Sequence, residues 1–95
     1  MDDDTVIRRE PRATYRQLTD GSAVILHLDT TAYHTVNETG AAIWELLAEP
    51  ATFRSVVEGL AAQLDERPDG LDADTSAFLD ALAERGLVTV GPDGP

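Results

Sequence analysis

Few residues of this chain have the type and spacing that chemistry needs. Its two histidines, His27 and His34, flank a polar turn at residues 29–31. If Leu28 pairs with Tyr33 across that turn, His27 faces His34 on one side of a two-stranded ladder. Two imidazoles supply half of a zinc coordination shell, and no third ligand stands at a suitable spacing. The pair therefore reads as an exposed cross-strand contact, with neither metal nor cofactor expected. Ser22, Ser55 and Ser76 occupy no G-x-S-x-G elbow. The run from Thr39 to Ala42 lacks the G-K-[ST] ending of a phosphate loop. The eighteen acids fall mainly on polar helix faces, where paired carboxylates arise by chance rather than as a glycosidase dyad. A domain this small has little room for a drug-sized pocket. The reading is a binding module and not an enzyme.

Composition narrows the partner. The chain has 95 residues, enough for one small domain, and a formal net charge of −11. All seven basic residues are Arg, and four of them (Arg8, Arg9, Arg12, Arg16) stand in the first sixteen positions. Such a field repels phosphate backbones, so nucleic acid is not the expected partner. There is no cysteine, which fits a reducing cytoplasm. No apolar run is long enough to span a membrane, and the acidic N-terminus has no signal-peptide character.

The elements that position these residues change period once. Residues 1–11, with three consecutive aspartates and Pro11, read as a flexible acidic tail, and residues 91–95, "GPDGP", as a second tail. Between them, residues 12–36 read as three antiparallel strands: "RATYRQL", alternating around Ala13 and Tyr15, then "SAVILHL", then "AYHTV". The "DG" at Asp20 and Gly21 marks the first hairpin turn. From Asn37 the period becomes helical. Asn37 is placed to cap the first helix and Glu38 to favour its dipole. Gly40, Ile43, Trp44 and Leu47 share one face, and Pro50 stops it. Thr52 caps a second helix, whose apolar stripe is Phe53, Val56, Val57, Leu60, Ala61 and Leu64. A third helix spans about residues 73–85, with Leu79 and Leu82 as its core contacts. Gly86 is placed to terminate it, and Leu87 and Val88 to fold back onto the core. The fold class is α+β in the order β-β-β-α-α-α, one three-stranded sheet covered by helices.

The third strand is unusual as an edge. Nothing between Ala32 and Val36 is charged or proline, although edges normally carry such protection. It reads as a strand kept available for pairing, with another chain or, as a weak homodimer, with a second copy of an otherwise monomeric protein.

The stretch "YHTVNETGAAIWELL" resembles the PqqD-like family of RiPP recognition elements through Tyr33, Val36-Asn37, the small residues Gly40 to Ala42, Ile43-Trp44 and Leu46-Leu47. "FRSVVEGLAAQLD" is similar to that family's second helix, and "DADTSAFLDALAERGLV" to its third, ending in the "FL..L...GLV" pattern from Phe78 to Val88. The resemblance covers residues 12–90 and is strongest to free-standing lasso-peptide B1 proteins; the first strand carries little family signature. It implies a winged-helix-like, non-catalytic peptide-binding domain. It implies as partners a precursor leader peptide, a separate leader peptidase and a cyclase. The alternatives are a PqqD-type chaperone for the precursor of pyrroloquinoline quinone and a winged-helix DNA-binding regulator. It further implies that the leader adds as an antiparallel strand to the third strand, in a groove walled by the third helix.

On that reading Ala32, Tyr33, His34 and Thr35 offer the ladder. The third helix lines the groove with Asp74, Ala77, Phe78, Ala81 and Arg85, a stripe beside the core positions. The alanines leave room for a strand, and Asp74 and Arg85 frame its ends. Tyr33 and Phe78 each have a second reading as core. Strand parity puts Tyr33 and Val36 on opposite faces, which favours Val36 inward.

Overall fold

The computed structural model describes residues 1–91. The three-stranded meander forms as the alternation requires: Ala13–Gln17 (β2), Ala23–His27 (β3) and Tyr33–Val36 (β4), ordered β2-β3-β4. Gly21 turns the first hairpin with φ +91°, in the half of backbone space that favours glycine. Period-two alternation then sorts the side chains. Ala23, Ile25 and Val36 are buried, while Tyr33 is 67% exposed.

The second turn sets a register two residues away from the one expected. Leu26 pairs with Tyr33 and Ile25 with His34, so Leu28 does not oppose Tyr33 and the two histidines do not face each other. The turn chemistry explains this. Thr31 takes a left-handed conformation (φ 58°), His27 N–H donates to Ala32 O at 2.8 Å, and the His27 Nδ1 accepts from the N–H of Asp29 at 3.2 Å. A two-residue shift keeps every side chain on its face, so both histidines still point to the inner side.

Three helices cover that side: Glu38–Leu46 (α1), Phe53–Leu64 (α2) and Leu71–Glu84 (α3). Asn37 Oδ1 accepts from Gly40 N–H at 2.9 Å and Thr52 Oγ1 from Ser55 N–H at 3.2 Å, so both caps form as read. Ile43, Trp44, Leu47, Phe53, Val56, Val57, Leu60, Leu79 and Leu82 are all buried. Leu64 is not; it lies exposed in the last turn of α2. The third helix begins earlier than expected, after Gly70 (φ +83°). Gly86 ends it with φ +74°. Gly86 N–H donates to Ala83 O at 3.0 Å and Leu87 N–H to Leu82 O at 2.9 Å, the paired bonds of a Schellman turn.

The acidic N-terminal tail is not a tail. Val6–Arg9 is a strand (β1) at the centre of a second sheet, ordered β5-β1-β6, with Ala51–Thr52 as β5 and Val88–Gly91 as β6. Ile7 is fully buried. Its two-residue apolar pair gives no local period, and its partners come from the middle and far end of the chain. The folded unit therefore starts before residue 12. Of the expected C-terminal tail, Gly91 belongs to β6 and residues 92–95 lie outside the described residues. The strand also serves the helices. Thr5 O and Asp3 O accept from Phe53 and Arg54 N–H at 2.8 and 3.1 Å, satisfying donors that the first turn of α2 cannot pair internally. At the other end of β1, Arg9 Nε donates to Trp44 O at 3.1 Å, and its guanidinium carbon stands 4.7 Å from the Trp44 ring centre. Because α1 has no basic residue in its last turn, Arg9 supplies the missing cation from outside.

Candidate functional site

The candidate surface is the open edge of β4, and α3 approaches the meander near both ends of that strand. β3 bonds one side of β4, and no strand among the described residues covers the other. His27 N–H bonds Ala32 O, and antiparallel ladders alternate every two residues. The groups of His34 and Val36 therefore turn toward β3, and those of Tyr33 and Thr35 toward the open edge. Two unpaired N–H and two unpaired C=O groups thus face outward along a strand whose side chains carry no formal charge apart from the titratable His34.

α3 meets the meander at two points, which set it roughly antiparallel to β4. Near the end of β4, Gly40 lets the two elements meet. A Cβ there would stand 2.8 Å from the Val36 Cβ and 3.0 Å from ring carbons Cε1 and Cζ of Phe78. Near the start of β4, the C-terminal end of α3 approaches the histidines. A Cβ on Gly86 would stand 4.0 Å from His27 Cδ2. The Arg85 charge is close enough to act on His34, whose pKa lies below its ordinary value, first because of burial and then because of Arg85.

Between the first turn of α1 and α3 lies a cavity of about 310 Å³. Asn37, Gly40, Ile43, Asp74, Thr75 and Phe78 are among its lining residues. Thr75 is one of the lining residues, but its hydroxyl is shielded from solvent and has no hydrogen-bond partner. Sequence reasoning singled out Asp74 and Phe78 but not Thr75, Asn37 or Thr39. Thr75 reads from sequence as one polar residue among several on a helix, and only its burial distinguishes it.

The structure places the residues expected to form the groove on the open strand β4 and on α3. Ala32, Tyr33 and Thr35 are exposed along the edge, His34 is half-buried on its inner side, and Phe78 and Ala81 are half-buried on α3. Phe78 packs partly on the core and also lines the cavity between α1 and α3. Asp74 and Arg85 are exposed at the two ends. Ala77 departs from the set. It lines a separate hollow of about 460 Å³ with Met1, Asp3, Phe53 and Asp80, because its position on α3 turns it toward the first residues of the chain and the start of α2 rather than toward β4.

Among the described residues no helix is long and apolar enough to cross a membrane. The family model described as coenzyme PQQ synthesis protein D (PqqD) matches residues 22–88. No curated protein sequence matches the chain. Among solved structures, TbiB1 in complex with the TbiA(beta) leader peptide is 27% identical with a TM-score of 0.73, covering 85% of this chain and 93% of that one. A lasso peptide synthetase B1 complexed with the leader peptide is 22% identical with a TM-score of 0.71, covering 87% and 96%. The second likeness is one of fold.

Proposed function

Since the chain belongs to the coenzyme PQQ synthesis protein D (PqqD) family, we propose that it is a non-catalytic recognition protein for the leader peptide of a ribosomally made precursor. The product is a lasso peptide. The leader docks as an antiparallel strand on β4, and the complex presents the precursor to a separate leader peptidase and to the cyclase in the cytoplasm. The observation that carries this reading is the open β4 edge, with the groups of Tyr33 and Thr35 directed outward beside α3. Two structural neighbours were solved with a leader peptide bound, which supports it.

The physics of strand addition assigns the roles. Main-chain bonds from Tyr33 and Thr35 give affinity without regard to sequence, and pockets for alternate side chains give specificity. A disordered leader loses conformational freedom on docking, so at least one apolar anchor has to offset that cost. The cavity lined by Phe78 is the place for it. Ala81 keeps the wall of α3 low enough for a strand to approach. No step of bond making or breaking is assigned to any residue.

Calorimetric titration with the leader encoded beside this gene tests the reading. Binding at micromolar affinity or tighter, about −8 kcal/mol or better, is the expected result, with loss of most of that affinity in Phe78→Ala. Absence of binding by the folded wild-type chain would contradict it.

The family's own description favours one second reading, a chaperone for the precursor of pyrroloquinoline quinone. Titration with that precursor under the same conditions separates the two, since the tighter peptide identifies the pathway. A DNA-binding role has the electrostatics against it. α3 carries Asp72, Asp74, Asp80 and Glu84, with Arg85 alone at its end, where a recognition helix needs cations.

A further inference from the structure

A strand added to β4 meets side chains on both faces of the sheet, and the face away from the helices has its own chemistry at the open edge. On that outer face Thr14, Leu26 and Tyr33 stand in one cross-strand row, and Arg16, Val24 and Thr35 in the next. Leu28 extends the alternation one step past β3, its N–H donating to Arg12 O at 2.8 Å. Leu26 is half-buried and Leu28 exposed. No large apolar side chain among the described residues is more exposed than that of Tyr33, at 67%. One exposed apolar residue is ordinary on a protein surface. An apolar row that runs from Leu26 to Tyr33 and stops at an unpaired strand edge is not, because edges usually carry charge there. Tyr33 has Leu26 on one side and no strand on the other. The outer-face cation of the neighbouring row, Arg16, stands on β2, at the opposite edge of the sheet.

Hydrogen-bond parity fixes which residues of an added strand reach these rows. The N–H and C=O of Tyr33 and of Thr35 face the open edge, so each of the two bonds one residue directly opposite it. Residues directly opposite share a face, with Cβ atoms about 4.5–5.5 Å apart. The strand residues opposite Tyr33 and Thr35 therefore project onto the outer face, and the residue between them projects toward the helices. In an antiparallel strand the residue opposite Thr35 comes two positions before the one opposite Tyr33.

We propose that the docked leader carries an aromatic or branched aliphatic residue opposite Tyr33, packed on the outer face against the bare flank of the Tyr33 ring, and that Tyr33 is a specificity-determining residue of the strand site. This rests on the leader-binding reading and names the leader chemistry that the open edge selects. The main-chain bonds of β4 accept any sequence. Tyr33 adds a preference that fixes the register, since a one-residue slip turns the apolar side chain to the helix side. A glycine or a charged residue at that place forfeits the contact.

The test is a calorimetric titration of the leader encoded beside this gene against the wild-type chain, Tyr33→Phe and Tyr33→Thr. Threonine keeps strand propensity while removing the ring, and circular dichroism checks that each variant is folded. Tyr33→Phe should bind as the wild type does. Tyr33→Thr should bind about three- to tenfold more weakly, as loss of an aromatic cross-strand contact implies. Leaders in which each aromatic, Ile, Leu and Val residue in turn becomes Thr are titrated against the same chains. One of them is expected to lose a similar factor on the wild type and little more on Tyr33→Thr, whereas losses at the other positions multiply with that of Tyr33→Thr. If the native leader binds Tyr33→Thr as tightly as the wild type, or if no leader position is coupled to Tyr33, the inference is overturned while the leader reading stands. If the folded wild type binds no leader, the leader reading fails and the inference fails with it.

Discussion

Gly40 and Phe78 are fitted to each other: a Cβ at Gly40 would stand 3.0 Å from two carbons of the Phe78 ring. The first turn of α1 and the middle of α3 approach this closely because residue 40 has no side chain. Gly40→Ala should therefore reverse the usual helix trend. Alanine gains about 1 kcal/mol over glycine in a helix interior, but here it also meets the Val36 Cβ at 2.8 Å, an atom fixed to the backbone. Overpacking of this kind costs about 1–3 kcal/mol, so net destabilisation is expected in urea unfolding. Gly59→Ala is the control. Its nearest obstacle is Leu46 Cδ2 at 2.9 Å, the mobile tip of a half-buried side chain, and its stability should equal or exceed that of the wild type.

The N-terminal strand gives a second prediction. Ile7 is fully buried between β5 and β6, so Ile7→Ala should cost about 2–5 kcal/mol. That is a large share of the roughly 5–15 kcal/mol available to a domain. A flexible tail would lose nothing. Chemical denaturation of the single variant distinguishes the two, and unchanged stability would remove β1 from the core.

His34 makes stability depend on pH. Burial, and then Arg85, hold its pKa below 6.5 in the folded chain. The other titratable groups on its side of the sheet are His27, diagonally placed on β3, and Tyr15, beyond Ile25 in the same cross-strand row. Between the folded and unfolded values the unfolded chain binds more protons at His34. The stabilisation from keeping this imidazole neutral is thus complete above about pH 6.5 and lost as pH falls through that value, levelling off below the folded one. Thermal melts between pH 7.5 and 5.5 should show the wild type losing stability faster than His34→Gln. Parallel curves would contradict this.

Most of what positions the site was legible in the sequence because it is local. Asn37 and Thr52 announce caps, Gly86 announces a stop, and the stripe from Phe53 to Leu60 announces a buried helix face. Parity alone turned Val36 inward and Tyr33 outward. What was not legible depends on pairing between distant segments. Val6 and Ile7 show no period until Val88–Gly91 and Ala51–Thr52 are brought to them. The register at His34 depends on the His27 ring capping a turn, a side-chain choice that strand alternation does not encode. Ala77 fell on the wrong flank because a helical stripe defines a face only to within one position, and the neighbouring strand decides which edge of it is covered. Thr75 became visible only when the packing of α1 against α3 enclosed it.

The central claim is that β4 accepts a strand. Amide hydrogen exchange at Tyr33 and Thr35, measured with and without the leader encoded beside this gene, tests it most directly. Both N–H groups face the open edge in the free chain, so both should exchange freely alone and be strongly slowed in the complex, while those of His34 and Val36, already bonded to β3, change less. A leader that binds tightly yet leaves Tyr33 and Thr35 exchanging at their free rates would contradict strand addition at this edge.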